Sequence, residues 1–232
     1  MNKMRTTGML LTAIVMAVLL GGCAGSYQAR SVDLQQSLLV NPAILTAGTG
    51  DQALYRYVNP SANAASYTKV MIDPVIISKA AELDASDLAN YQTLANNAYV
   101  YLTQELQKDY TIVQAPEAAT LRVQLAIVDA DTSKPVRNLL SSISPIGIGL
   151  SIVKYGVTGK QSGVGEITGE MKITDAMTGQ LLGAALDRRV GGKAAQGIWD
   201  TWYKADQALQ YWAKRLAFVL CTERGGANCV KP

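Results

Sequence analysis

Any chemistry in this chain has to be done without histidine, which is absent from all 232 residues. That removes the commonest general base and the commonest metal ligand, and with them Ser-His-Asp and Cys-His nucleophilic sites. Three cysteines remain, Cys23, Cys221 and Cys229, together with scattered carboxylates. Glu166 and Glu170 share one face of a predicted strand at a spacing that would suit an acid–base pair. With Thr168 and Lys172 on the same face, a solvated outer surface is the stronger reading. Asp129 and Asp131, near a strand end, have the chemistry to bind a cation. No catalytic residue, metal site or cofactor is assigned from these groups.

Two glycine patterns invite nucleotide chemistry and fail on spacing. In Gly156-Val157-Thr158-Gly159-Lys160 the first glycine of a phosphate loop would fall at Lys154, and Gln161 stands where the magnesium-holding Ser or Thr belongs. Gly163, Gly165 and Gly169 miss the dinucleotide spacing by one and sit in a predicted strand, where close backbone packing is their use. The aromatic group Trp199, Trp202, Tyr203, Tyr211 and Trp212 could offer a ligand platform. Helical spacing instead puts Trp202 and Trp212 in a core stripe.

The most specific chemical signal is Cys23. Lys3 and Arg5 precede an apolar run from Met9 to Leu20, then Gly21-Gly22-Cys23. A run of twelve residues is too short for a spanning helix, which needs about 20, and the charge order fits a secretory signal. Leu20, Gly21 and Gly22 before the cysteine resemble a lipoprotein signal-peptidase site, with cleavage between Gly22 and Cys23. The resemblance implies a diacylglyceryl thioether on Cys23, usually with an acyl chain on its amine, and more than one chain anchors firmly. The alternative is an uncleaved anchor or a plain signal peptide. Ala24 is not the Asp that favours inner-membrane retention in enteric-type sorting, so the expected location is the periplasmic face of the outer membrane.

Without residues 1–22 the chain keeps 210 residues, suited to one domain. Loss of Lys3 and Arg5 leaves 19 basic against 18 acidic residues, a charge of +1. No basic stripe is available to neutralise phosphates, which excludes ordinary nucleic-acid binding. Cys221 and Cys229 can pair in an oxidising compartment, closing a loop worth about 2.5 kcal/mol on the chain-entropy model. A buried Cys221 thiol with a free Cys229 is the alternative.

These features imply four segments: a signal peptide over 1–22, an acylated tether and extended lead-in over 23–66 that partly docks on the domain, a periplasmic domain over 67–224, and a tail over 225–232. Within the domain, the β-branched run Thr68 to Ile77 predicts an edge strand or one that bends at Pro74. Asp84, Ser86 and Asp87 offer N-cap chemistry, and Leu88, Tyr91, Ala95, Ala98, Leu102 and Leu106 recur at helical steps, predicting a helix over 85–108. Short strand 110–113 and the alternating strand from Leu121 to Ile127 follow. Strands 164–175 and 181–190 flank a turn at Asp175-Ala176-Met177-Thr178-Gly179-Gln180, with Gly179 supplying positive φ. Trp202, Ala205, Leu209, Trp212, Leu216 and Val219 line a final helix over 198–221. The order strand-helix-strand-strand-insertion-strand-strand-helix predicts an α+β fold, with two long helices against a mainly antiparallel sheet of about five strands.

The insertion 138–157 is apolar yet broken by Gly, Ser and Pro. It is either packed on its own domain or a contact surface, Ile146, Ile148 and Leu150 being the candidate contact residues. Tyr55-Arg56-Tyr57-Val58-Asn59-Pro60, Tyr67-Thr68-Lys69-Val70-Met71-Ile72-Asp73-Pro74-Val75 and the hairpin Asp175 to Leu182 resemble a bacterial lipoprotein family designated domain of unknown function 3313, over about 38–224. The resemblance supports a lipoprotein and carries no catalytic residue with it. The expected function is a non-enzymatic binding or scaffolding protein of the cell envelope, contacting the membrane through its lipid and open to a protein partner or self-association. The rivals are an oligomeric assembly or export component and, less favoured, a carboxylate- or cation-dependent enzyme.

Overall fold

A computed structural model describes residues 26–78, 80–128, 141–142, 166–190 and 201–232. Cys23 and Gly22, Asp129 and Asp131, the phosphate-loop-like stretch 156–160, Trp199, and Ile146, Ile148 and Leu150 lie outside these residues.

In chain order the elements are β1 (Tyr27–Gln28), β2 (Thr46–Ala47), β3 (Tyr55–Val58), β4 (Lys69–Ile72), β5 (Ile76–Ile77), α1 (Ala85–Leu106), β6 (Thr111–Val113), β7 (Thr120–Val128), β8 (Ser141–Ser142), β9 (Glu166–Asp175), β10 (Leu181–Val190) and α2 (Thr201–Glu223). Asp84 caps α1 by accepting from the Asp87 N–H at 2.8 Å, satisfying one of the open donors of the first turn. Gly179, at φ 71°, turns β9 into β10. Gly225, at φ 77°, ends α2.

Among the described residues the sheet is mixed and ten-stranded, its main path running β2-β3-β10-β9-β7-β4-β6. This corrects the expected mainly antiparallel sheet of about five strands. The α1 crossover returns β6 parallel to β4, as a strand-helix-strand unit must. Strand β4 is also parallel to β7, so it is interior and not an edge. Pro74 breaks it from β5, which pairs separately with β7. The extra strands β1, β2, β3, β5 and β8 have two to four residues each, too few for a period of two to declare itself.

The two faces of the sheet are covered differently. One face carries Val70, Val123, Leu125, Ile127 and Ile167 under α1 and α2, which contribute Leu94, Ala98, Leu102, Leu106, Leu209, Trp212 and Leu216. A polar contact ties the helices together where the Asp206 carboxylate accepts from Asn97 Nδ2 at 2.8 Å and from the Tyr101 hydroxyl at 2.8 Å. The opposite face is covered by residues 26–66, whose Val32 and Leu45 pack with Ala184 and Leu186 of β10. The lead-in, expected to be extended and to dock in part on the domain, packs on this face through Val32 and Leu45. At the far end of the chain Cys221 and Cys229 form a disulfide. It folds the tail back on α2 over Gly226, where a Cβ would lie 2.6 Å from Cys221 Sγ.

Candidate functional site

The site is built around a missing side chain. At Gly169 of β9 a Cβ would stand 2.4 Å from the Trp212 ring, so glycine lets the indole of α2 lie directly on the strand. This is the close packing expected of that glycine. The register sets Gly169 opposite Asp187 of β10, and Trp212 donates from Nε1 to Asp187 Oδ2 at 2.8 Å. The other Asp187 oxygen accepts from Gln28 Nε2 at 2.8 Å and the Leu54 N–H at 3.3 Å. Asp187 is only 6% exposed, and both its oxygens are engaged in holding three parts of the chain together.

Beyond Asp187 the strand thins. Ala185 and Gly183 point to the same face as Met171 and Ile173 across the β9–β10 register. Small side chains here cannot reach Leu216 and Val219 of α2, and a cavity of about 280 Å³ opens between strand and helix. Helix α1 packs against α2, β4 and β5, so it does not close this side. Arg56 and Val58 of β3 complete the lining. Asp51 also lines it, bridging Arg215 Nη1 at 3.0 Å and Lys231 Nζ at 2.7 Å. The Lys231 ammonium holds the Asp51 carboxyl below its ordinary range. Arg56 is half-buried and has no ion pair or side-chain hydrogen bond among the described residues. The cavity is thus a largely apolar slot, and among the described residues Arg56 is an unengaged cation on its wall.

The carboxylates singled out by spacing are elsewhere and otherwise occupied. Glu166 is ion-paired with Arg188. Glu170 is 0% exposed and accepts from Ser37 Oγ at 2.7 Å, the Leu38 N–H at 2.5 Å and the Leu39 N–H at 2.9 Å. Thr168 is buried beside it. The solvated face expected for Glu166, Thr168, Glu170 and Lys172 is corrected: the 26–66 layer covers it, and Glu170 serves as that layer's anchor. Trp202 stacks edge-on against Tyr91, with centroids 5.2 Å apart, and Trp212 is core; the two do not form one platform.

Arg56, Gly183, Ala185 and Asp187 carry the site, and no sequence pattern singles them out. The run Gly183-Ala184-Ala185 inside a strand, followed by a lone Asp187, is the available signal. Among the described residues no group of three or more His, Cys, Asp or Glu could hold a metal, and no helix is long and apolar enough to cross a membrane.

The sequence matches the family described as protein of unknown function (DUF3313) over residues 35–216, and the chain belongs to that family. No curated protein matches it. Among solved structures, a PelC dodecamer from Paraburkholderia phytofirmans is similar at 11% identity and TM-score 0.38, with 75% of this chain and 96% of that one covered. A DUF4136 family protein from Bacteroides thetaiotaomicron is similar at 16% identity and TM-score 0.38, covering 75% and 98%. Both are distant likenesses, too weak to carry an argument about activity or assembly.

Proposed function

We propose that this member of the DUF3313 family is a lipid-anchored, non-enzymatic binding protein on the periplasmic face of the outer membrane, and that its slot receives one hydrocarbon chain of an anionic amphiphile. The observation that carries the reading is the lining of the cavity: Leu125, Met171, Ile173, Leu216 and Val219 with Arg56 at the wall. Apolar contact with a few placed polar groups is the usual composition of a small-ligand pocket. Asp187, the buried carboxylate nearest the slot, has its oxygens committed to structural donors, which favours binding over acid–base work. Anchoring through acylated Cys23 would keep such a site close to a supply of lipids and raise the effective concentration of weak contacts.

Brominated fatty acid tests this directly, because Trp212 lines the slot and bromine quenches indole fluorescence at short range. Saturable quenching is expected. Gly183→Val should abolish most of it: a Cβ there meets only Tyr57 O at 3.5 Å, an ordinary contact, so the fold tolerates the change while the slot fills. A loss of about tenfold in affinity, ~1.4 kcal/mol, is the expected scale. Quenching unchanged in Gly183→Val, or none in the parent, would remove the reading. Arg56→Gln should weaken the fatty acid while sparing a neutral alcohol of equal chain length.

A further inference from the structure

We infer that the Ser26 corner of the sheet, where β1 begins and β10 finishes, lies at the membrane surface. This orientation requires the acylated Cys23 proposed above. Only Ala24 and Gly25 separate that cysteine from Ser26, and Ser26 is already bound. Arg189 donates from Nε to Ser26 Oγ at 2.9 Å and from its second terminal nitrogen to the Ser26 carbonyl. Tyr27 and Gln28 then pair in register with Val190 and Arg189, the Ala29 N–H donates to the Arg188 carbonyl at 2.8 Å, and Gln28 Nε2 reaches the Gln52 carbonyl at 2.7 Å.

Three extended residue steps span at most about 11 Å. A lipid on Cys23 therefore cannot hold the body at a distance; it holds the Ser26 corner at the headgroups. The register sets this corner level with the start of β9 and the finish of β7, because Val190 is opposite both Tyr27 and Glu166, and Val128 is opposite Thr168. Arg189 is itself fixed, its guanidinium 3.5 Å from the Tyr211 ring centroid, so the corner is tied to α2 as well as to the strand. Tyr27 is 52% exposed at this end, an aromatic of the kind favoured at membrane interfaces. At the other end, the ten residues of β9 carry the chain about 30 Å away to the turn bearing exposed Met177.

The test uses the full acylated protein in phosphatidylethanolamine–phosphatidylglycerol vesicles containing headgroup spin-labelled lipid. Bimane is attached to Tyr27→Cys, to Arg30→Cys as a second reporter outside the β1 pairing, and to Met177→Cys. Quenching at positions 27 and 30 is expected to exceed that at 177 several-fold. A Gly/Ser linker of about 20 residues after Gly25, with a mean reach of about 25 Å, should abolish the difference while the protein stays vesicle-bound. Equal quenching at both ends of a bound, unlinked protein overturns the orientation and leaves the anchor standing. An N-terminal peptide without lipid mass, with the protein in the supernatant, overturns both.

Discussion

The two faces of the sheet are covered by different means. The face under α1 and α2 is closed by long helices whose apolar residues interlock, so its stability is spread over many side chains. The face under residues 26–66 is closed by a segment of short 3₁₀ turns and strands of two to four residues, with a small apolar cluster around Val32 and Leu45. It is fixed by a few polar points: Glu170 beneath Leu38 and Leu39, Asn59 donating to the Leu181 carbonyl at 2.9 Å, and the Leu54 N–H reaching Asp187, whose carboxylate lies on the helix side. An irregular backbone has donors that no helix ladder satisfies, and buried carboxylates of the sheet supply the missing acceptors. One layer thus depends on packing and the other on a handful of hydrogen bonds.

The sharpest break of the packed face is Trp212→Ala, which empties the space over Gly169 and frees Asp187. A loss of about 3 to 5 kcal/mol is expected, read as a lowered urea midpoint with amide exchange rising throughout both helices. Glu170→Ala comes next, at about 2 to 4 kcal/mol, because it removes the shared acceptor of the part-buried Leu38 and Leu39 N–H groups, while the Ser37 hydroxyl keeps the Val40 carbonyl. Its signature should differ: exchange should rise at Leu38 and Leu39 and through the 26–66 layer, with α1 still protected. If both variants opened the whole molecule alike, the layers would not be separable.

The smallest effect concerns the junction where the covering layer hands over to β4. The Tyr67 hydroxyl donates to Asp175 Oδ2 at 3.0 Å, and burial, aided by that carboxylate, pushes its pKa up to about 12. A raised folded value favours the proton-bound form, so this contribution is complete below the unfolded value of about 10 and fades as pH climbs toward 12. The N–H of Thr178 is the main cause holding the Asp175 carboxyl low, with the Thr178 hydroxyl, Tyr67 and the Met177 N–H assisting. Tyr67→Phe should flatten the stability loss between pH 10 and 12 relative to the parent. An unchanged alkaline slope would place that titration on other tyrosines.

Legibility followed periodicity. Ala95, Ala98, Leu102 and Leu106 announce α1 at helical steps, and the observed helix, Ala85–Leu106, ends two residues short of the expected bound. Strand β10 occupies the residues expected of it, Leu181–Val190. The covering layer was not legible because its anchor points are single contacts. Nothing in Glu170 as a residue on an alternating strand shows that Leu38 and Leu39 lie over it, 132 and 131 positions away. The slot was hidden for the same reason, since an absent side chain at Gly183 becomes a cavity only when α2 is set above it.

By itself the sequence determined the α+β class, the two long helices, the β9–β10 hairpin and the spacing that lets Cys221 meet Cys229, because each rests on local periodicity, turn chemistry or short loop closure. Tertiary structure alone decided that β4 is interior and parallel, that Glu170 is buried, that Arg56 faces an apolar slot, and that Ser26 is clamped to Arg189. Those outcomes depend on which distant backbone segments compete for the same donors and the same apolar surface, and that competition is settled only when the layers close.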